Sequence, residues 1–74
     1  MNLKDEVVTF PKRWRPIPQP YYVVRCGDHF MVCTLDDDFN LIEEMTVIHW
    51  NKFIVRHWAL DLARQNPQTR RRRG

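Results

Sequence analysis

Residues 21–35 constrain the fold of this 74-residue chain more than any other segment. They form two runs of mostly aromatic and β-branched residues, YYVVRC and HFMVCTL, which are separated by Gly27 and Asp28. Such runs favour β-strands, and a two-residue turn between them is typical of an antiparallel hairpin. The sequence therefore predicts a sheet at the centre of the fold.

The register that this turn fixes leaves both faces of the hairpin mostly apolar. One face carries Tyr22, Val24, Met31 and Cys33, and the other carries Tyr21, Val23, Arg25, Phe30, Val32 and Thr34. A sheet with one face in water alternates apolar and polar residues more regularly. We therefore expect the second face to be covered by the proline-containing segment 11–20, by a partner or by a second copy of the chain.

The two cysteines are predicted not to be bonded to each other. In this register Cys26 lies opposite His29 and Cys33 lies opposite Tyr22, which puts the two sulfurs beyond the reach of a disulfide. Unpaired cysteines fit a reducing compartment. The sequence starts MNLKDE, without an apolar signal core, and no apolar run approaches the ~18 residues of a membrane span. We therefore expect a cytoplasmic protein that does not contact a membrane.

The chain after the hairpin predicts a turn, a short strand and a helix. Residues 36–40, DDDFN, form a polar turn, and a third strand is expected around residues 41–45. From residue 47 to residue 65 the apolar side chains recur with helical spacing. The predicted buried stripe consists of Val47, Trp50, Ile54, Trp58 and Leu62. Thr46 is the first candidate for the N-cap, and Asn51 is the second if the third strand runs further. The predicted fold class is α+β, with a two- or three-stranded antiparallel sheet packed by one long C-terminal helix.

Two basic arms flank this compact part, which we place at residues 21–66. Residues 1–20 are predicted to be an extended N-terminal arm, because four of the five prolines lie between residues 11 and 20. Residues 67–74 form a basic tail that we expect to be disordered. The whole chain has a formal charge of +3, but residues 21–66 carry four basic and seven acidic side chains, a charge of −3. The basic character of the chain therefore lies in its arms.

The basic arms carry the first candidate site, which is for nucleic acid. Its residues are Lys12, Arg13, Trp14 and Arg15 in the N-terminal arm and Arg70, Arg71, Arg72 and Arg73 in the tail. Arginine and lysine neutralise phosphates, and an aromatic ring between them can stack on a base. Two other interpretations stay open: Trp14 anchors the arm to the open hairpin face, and the arginine run is only a solvated tail.

The outer side of the predicted helix carries the second candidate site, which is for a protein partner. Its residues are Lys52, Phe53, Arg56, Leu60 and Arg64. An aromatic and an aliphatic side chain among cations suit an acidic or amphipathic partner. The alternative is that Phe53 and Leu60 lie under the N-terminal arm and belong to the core.

Metal, cofactor and catalytic sites are not expected. Asp36, Asp38 and Asn40 have the spacing of a calcium loop, but Leu41 and Val47 stand where such a loop needs glycine and glutamate. The cysteines and histidines do not form the two close ligand pairs of a structural zinc site. No phosphate-binding glycine loop, nucleophile elbow or pair of carboxylates indicates an enzyme or a small-molecule substrate.

Two functions remain as hypotheses. The first is a small non-enzymatic nucleic-acid-associated regulatory or accessory protein, compatible in size and charge with a phage or mobile-element accessory protein. The second is a protein-binding module or inhibitor, as a monomer or a homodimer, which acts through the Phe53/Leu60 helix face or the uncovered sheet face. The acidic residues of segment 21–66 count against the first hypothesis, because they repel phosphate.

Overall fold

The computed structural model describes residues 3–65, apart from the side chain of Thr46. Three strands form an antiparallel sheet in the order β1-β2-β3, and one helix packs on it. The elements are β1 (Tyr21–Cys26), β2 (His29–Leu35), β3 (Leu41–His49) and α1 (Lys52–Gln65), and a short 3₁₀ turn (Lys4–Glu6) precedes them. This arrangement confirms the predicted α+β class. The tail that we expect to be disordered lies outside the described residues.

The predicted register of the β1–β2 hairpin is confirmed. Cys26 pairs with His29 and Cys33 pairs with Tyr22. Gly27 has a φ of 64°, a left-handed conformation that glycine adopts at little cost and that matches the twist of a tight hairpin.

The two faces of the hairpin belong to two separate apolar clusters, as the register predicts. The helix-side cluster contains Tyr21, Val23, Val32, Val55, Ala59 and Ala63. The opposite-side cluster contains Val24, Met31, Cys33 and Leu35. In α1 the three buried residues are spaced four apart, so that they form one stripe along the helix.

The second face is covered by the start of the chain. Of the three covers predicted for it, segment 11–20 is wrong, and a partner or a second copy stays a prediction. Leu3 and Val7 pack against the opposite-side cluster. The backbone N–H of Leu3 donates to Phe39 O at 2.7 Å, and Val7 forms an isolated antiparallel bridge with Val24 at the free edge of β1. Residues 3–7 can reach this face because they run along that edge.

The proline-containing segment lies on the other side of the sheet. Phe10 and Ile17 pack against the helix-side cluster. The arm therefore crosses from the β1 edge to the helix, where it meets the outer side of α1.

The predicted start of the helix at residue 47 is wrong, and the third strand is longer than predicted. Val47 and Ile48 belong to β3, where β-branched residues are favoured. Asn51, the second candidate, is the N-cap: its Oδ1 accepts hydrogen bonds from the N–H groups of Phe53 at 2.9 Å and Ile54 at 3.4 Å. The buried stripe of the helix therefore consists of Val55, Ala59 and Ala63 and differs from the predicted one. Trp50 precedes the helix.

In the acidic turn between β2 and β3, the side chain of Asp36 binds the backbone of the turn. Asp36 Oδ1 accepts hydrogen bonds from the N–H groups of Asp38 and Asn40, both at 2.9 Å. A short acidic side chain that binds its own turn in this way stabilises the reversal of the chain. The turn thereby places three carboxylates at the β2–β3 end of the sheet.

Candidate functional site

The N-terminal arm and the helix meet in a cluster of three aromatic rings. The rings of Phe10 and Trp14 lie 6.2 Å apart at an angle of 17°, and both approach Phe53 at the start of α1. The centroid of Phe53 is 5.5 Å from Trp14 and 6.1 Å from Phe10. These are ordinary separations for interacting aromatic rings. The cluster holds the arm against the helix.

Arg56 joins this cluster from the next turn of the helix. Its guanidinium carbon lies 4.9 Å from the ring centroid of Trp14 and 5.7 Å from that of Phe10. One of its terminal nitrogens donates to Arg15 O at 2.8 Å. A planar guanidinium can stack flat on rings and donate hydrogen bonds from its edge, whereas a lysine ammonium has no planar face. Arg56 is half-buried, and it thus fixes the arm to the helix.

Cations surround the aromatic cluster. Lys12, Arg13 and Arg15 are exposed, and Lys52 is half-buried with its Nζ 5.5 Å from the centroid of Phe53. The two segments that build this surface, 7–20 and 51–60, contain no aspartate or glutamate. We call it the arm–helix surface; it comprises Phe10, Lys12, Arg13, Trp14, Arg15, Lys52, Phe53 and Arg56.

Parts of the two candidate sites predicted from the sequence therefore share one surface. Trp14 from the first site contacts Phe53 and Arg56 from the second. Trp14 anchors the arm to the helix rather than to the open hairpin face. Phe53 lies beside the arm, as its alternative interpretation proposed, but the residue remains 49% exposed.

The other two residues of the predicted helix site lie further along α1. Leu60 and Arg64 line a groove of about 560 Å³ between the helix and the arm, together with Arg15. Arg64 donates to Asp61 Oδ1 at 2.8 Å, so its charge is partly compensated. The predicted residues Arg70, Arg71, Arg72 and Arg73 lie outside the described residues.

Trp50 is not among the predicted site residues, because the sequence places it in the buried stripe of the helix. Trp50 is 71% exposed, the largest value among the exposed large apolar residues of segment 3–65. Its ring stacks on that of His49, with centroids 4.2 Å apart and an angle of 27°. The signal that could have found it is Asn51: a helix capped there leaves Trp50 in the connection to β3.

Among the titratable groups of residues 3–65, the Cys33 thiol has a clearly shifted pKa. Burial raises the pKa of the Cys33 thiol from 9.0 to about 11, and the nearby charge of Glu44 adds to this effect. Cys33 lies inside the opposite-side cluster, whereas Cys26 is exposed near the hairpin turn. The raised pKa keeps Cys33 in the thiol form, which is neither a nucleophile nor a metal ligand.

Within residues 3–65, no three histidine, cysteine or acidic side chains come together as a metal site would require. In that same range, no helix is long and apolar enough to span a membrane. A comparison with protein-family models, curated proteins and solved structures finds no match for this chain.

Proposed function

We propose that this protein is a small non-enzymatic nucleic-acid-associated accessory protein, which binds through the arm–helix surface. The observation that carries the proposal is the arrangement of the two predicted sites around one aromatic cluster, with cations at its border. Phosphates would be neutralised by Lys12, Arg13, Arg15 and Lys52. The exposed part of Phe53 would offer an apolar contact to the sugar or the base.

The distribution of charge supports this orientation. The acidic side chains that could repel phosphate include Asp36, Asp37 and Asp38 in the β2–β3 turn and Glu43 and Glu44 in β3, all of them exposed. None of them belongs to the two segments of the arm–helix surface. Asp61 lines a groove with Arg15 and Arg56, but it is paired with Arg64. The objection from the acidic residues therefore applies mainly to the sheet.

The test is equilibrium binding of the full-length protein to labelled DNA and RNA, single-stranded and duplex, across a series of salt concentrations. We expect the affinity to fall as salt rises, because each phosphate contact releases counterions. Arg13→Ala should lower the slope of log K against log salt by about 1. Arg25→Ala removes an exposed arginine of β1 and should leave the slope unchanged.

A second variant separates the arm–helix surface from the tail. Replacing Arg70–Arg73 by alanine in the full-length chain removes the tail cations and leaves the arm–helix surface intact. If this variant keeps a salt-dependent affinity that Arg13→Ala reduces, the arm–helix surface binds. Absence of salt-dependent binding by the wild-type protein at low ionic strength, for every nucleic acid tested, would refute the proposed function.

A protein-binding module or homodimer is the second candidate, and exposed apolar residues of β3 favour it. Leu41, Ile42 and Ile48 are 46%, 61% and 52% exposed on the edge strand of the sheet. We rank it second because Glu43, Glu44 and two register irregularities between β2 and β3 disfavour edge-to-edge pairing. Sedimentation velocity decides: a stable dimer that Ile48→Glu dissociates, without loss of the fold, would favour this candidate.

A further inference from the structure

Trp50 is a large apolar side chain that the fold holds in solvent. It lies in the short connection between β3 and α1 and is 71% exposed. An exposed apolar residue needs no explanation by itself. Trp50 differs from an ordinary exposed residue because its position is fixed by specific contacts.

His49 provides the support for the ring of Trp50. The imidazole lies 4.2 Å from Trp50, nearly parallel to it, and meets Trp58 edge-on at 5.8 Å and 79°. Its Nδ1 accepts a hydrogen bond of 2.9 Å from the N–H of Asn51. Because Trp58 packs against the helix-side cluster, this chain of contacts connects the exposed ring to the core. The ring of Trp50 is therefore preorganised, which lowers the entropy that a ligand must remove on binding.

The surroundings of Trp50 suit an anionic ligand with flat rings. A hollow of about 330 Å³ is lined by Phe30, Trp50, Asn51, Lys52 and Phe53. Residues 45–60 contain no aspartate or glutamate. The hollow shares Lys52 and Phe53 with the arm–helix surface.

We propose that the ligand of this surface is single-stranded nucleic acid, and that one unpaired base stacks on the free face of Trp50. This inference rests on the proposed function and specifies its ligand. In a duplex the faces of the bases are already stacked, so that only a single strand can present a base to the ring. Lys52, two residues along the chain, would bind the phosphate next to that base.

The test compares two ligands that have the same number of phosphates. One is a labelled 15-nucleotide oligothymidine, and the other is an oligomer of the same length with abasic sites. Trp50→Ala should weaken binding of oligothymidine by roughly 5- to 150-fold, the loss expected for one stacked base. It should change binding of the abasic oligomer and of a 15-base-pair duplex by no more than about 2-fold.

Two control variants show whether the loss comes from stacking. Trp50→Phe keeps an aromatic face and should recover most of the affinity for oligothymidine. Ile48→Ala removes a nearby exposed apolar side chain and should leave that affinity unchanged. The salt slope of Trp50→Ala should equal that of the wild type because no charge is removed, and its thermal midpoint should be unchanged.

The outcomes separate this inference from the proposed function. Salt-dependent binding that Arg13→Ala weakens but Trp50→Ala does not would overturn the stacking inference and leave the proposed function in place. A loss of duplex binding in Trp50→Ala as large as its loss of oligothymidine binding would also overturn it. If no nucleic acid binds, both fail. If Trp50→Ala abolishes self-association in sedimentation but leaves oligothymidine binding intact, Trp50 is a protein contact and the inference is wrong.

Discussion

The two faces of the sheet are both buried, but they are covered in different ways. The helix side is covered by a complete element, whose Val55, Ala59 and Ala63 lie on the strands. The opposite side is covered by isolated side chains from the start of the chain and from a turn, chiefly Leu3, Val7 and Phe39. The exposure of Val32 on the helix side is 0% and that of Leu35 on the opposite side is 2%.

This difference shows that two equally buried faces of a sheet can differ in how readily they open to solvent. A helix is held by its own backbone hydrogen bonds and by a cap, so that it covers the sheet as a unit. The segment at residues 3–7 is held by few backbone contacts, such as the bond from Leu3 N–H to Phe39 O. We therefore expect the opposite side to open more readily than the helix side. Substitutions on each side of the sheet and a change of pH can test this expectation.

The largest effect is expected from a charge under the helix. Val55 is fully buried, and Val55→Asp would place a carboxylate without a partner between helix and sheet. We expect the free energy of unfolding to fall by about 4 kcal/mol or more, which approaches the whole stability of a chain of this size. Urea denaturation followed by circular dichroism measures it.

Ile54→Asp is the matched control for this substitution. Ile54 is the neighbouring residue in the same helix and is 37% exposed, so that its carboxylate can reach water. We expect a loss well below that of Val55→Asp. Equal losses for the two variants would contradict the burial of Val55 between the helix and the sheet.

The second prediction concerns the centre of the opposite-side cluster. Leu35→Ala should lower the free energy of unfolding by about 2–4 kcal/mol, because Leu35 is 2% exposed and its removal leaves a cavity. Leu41→Ala changes the residue paired with it in β3, which is 46% exposed, and should cost less than about 1 kcal/mol. If the free energy of unfolding falls by the same small amount in both variants, the opposite side is already open in solution.

Local patterns in the sequence predict the hairpin, its register and the division into two apolar faces. Those features depend on neighbours such as Gly27 and Asp28 and on the alternation of side chains, which are visible in the sequence. The boundary between β3 and α1 was harder to predict, since Val47 and Ile48 fit either a strand or a helical stripe and only packing decides. The cover of the second face could not be predicted either. Leu3 reaches Phe39 across 36 positions of sequence, and no local signal indicates such a contact.

The contacts that build the candidate site could not be predicted from local patterns either. The sequence indicates Trp14 among cations and Phe53 among cations, and it predicts each as part of a separate site. Trp14 and Phe53 contact each other because of the path that the arm takes. The prolines make the arm extended, but they do not determine its direction. Trp50 was missed for a related reason, because an error in the start of the helix moved it from the connection to the buried stripe.

The third prediction uses pH to probe the opposite side through the Cys33 thiol. The folded pKa of the Cys33 thiol is raised to about 11 from an ordinary 9.0, so the folded state binds this proton more tightly than the unfolded state. The corresponding stability is complete below about pH 9 and is lost as the pH rises through 11. Between these values the loss should be on the order of 2 kcal/mol.

Urea denaturation of the wild type and of Cys33→Ala from pH 8 to pH 11 measures this contribution. Groups other than Cys33 titrate in both proteins, so the difference between the two curves isolates the thiol. We expect the curves to converge as the pH rises. Parallel curves would mean that the Cys33 thiol is accessible to water in the folded state, and that the opposite side is not closed.

The smallest effect is expected at the cover itself, and it distinguishes most directly between the two sides. Leu3 is half-buried against the cluster that contains Cys33. Leu3→Ala should lower the free energy of unfolding by only about 1 kcal/mol, because a partly exposed side chain loses less on truncation. It should nevertheless raise the rate at which Cys33 reacts with an alkylating reagent, since local opening of the cover becomes easier.

Two control variants accompany this substitution. Glu6→Ala changes an exposed residue of the adjacent 3₁₀ turn and should alter neither the free energy of unfolding nor the alkylation rate. Ala63→Gly truncates a residue of the helix side and should lower stability by a similar amount without a comparable rise in the rate. A rise of equal size in Ala63→Gly and Leu3→Ala would show that Cys33 reacts only through global unfolding, and that the two sides open together.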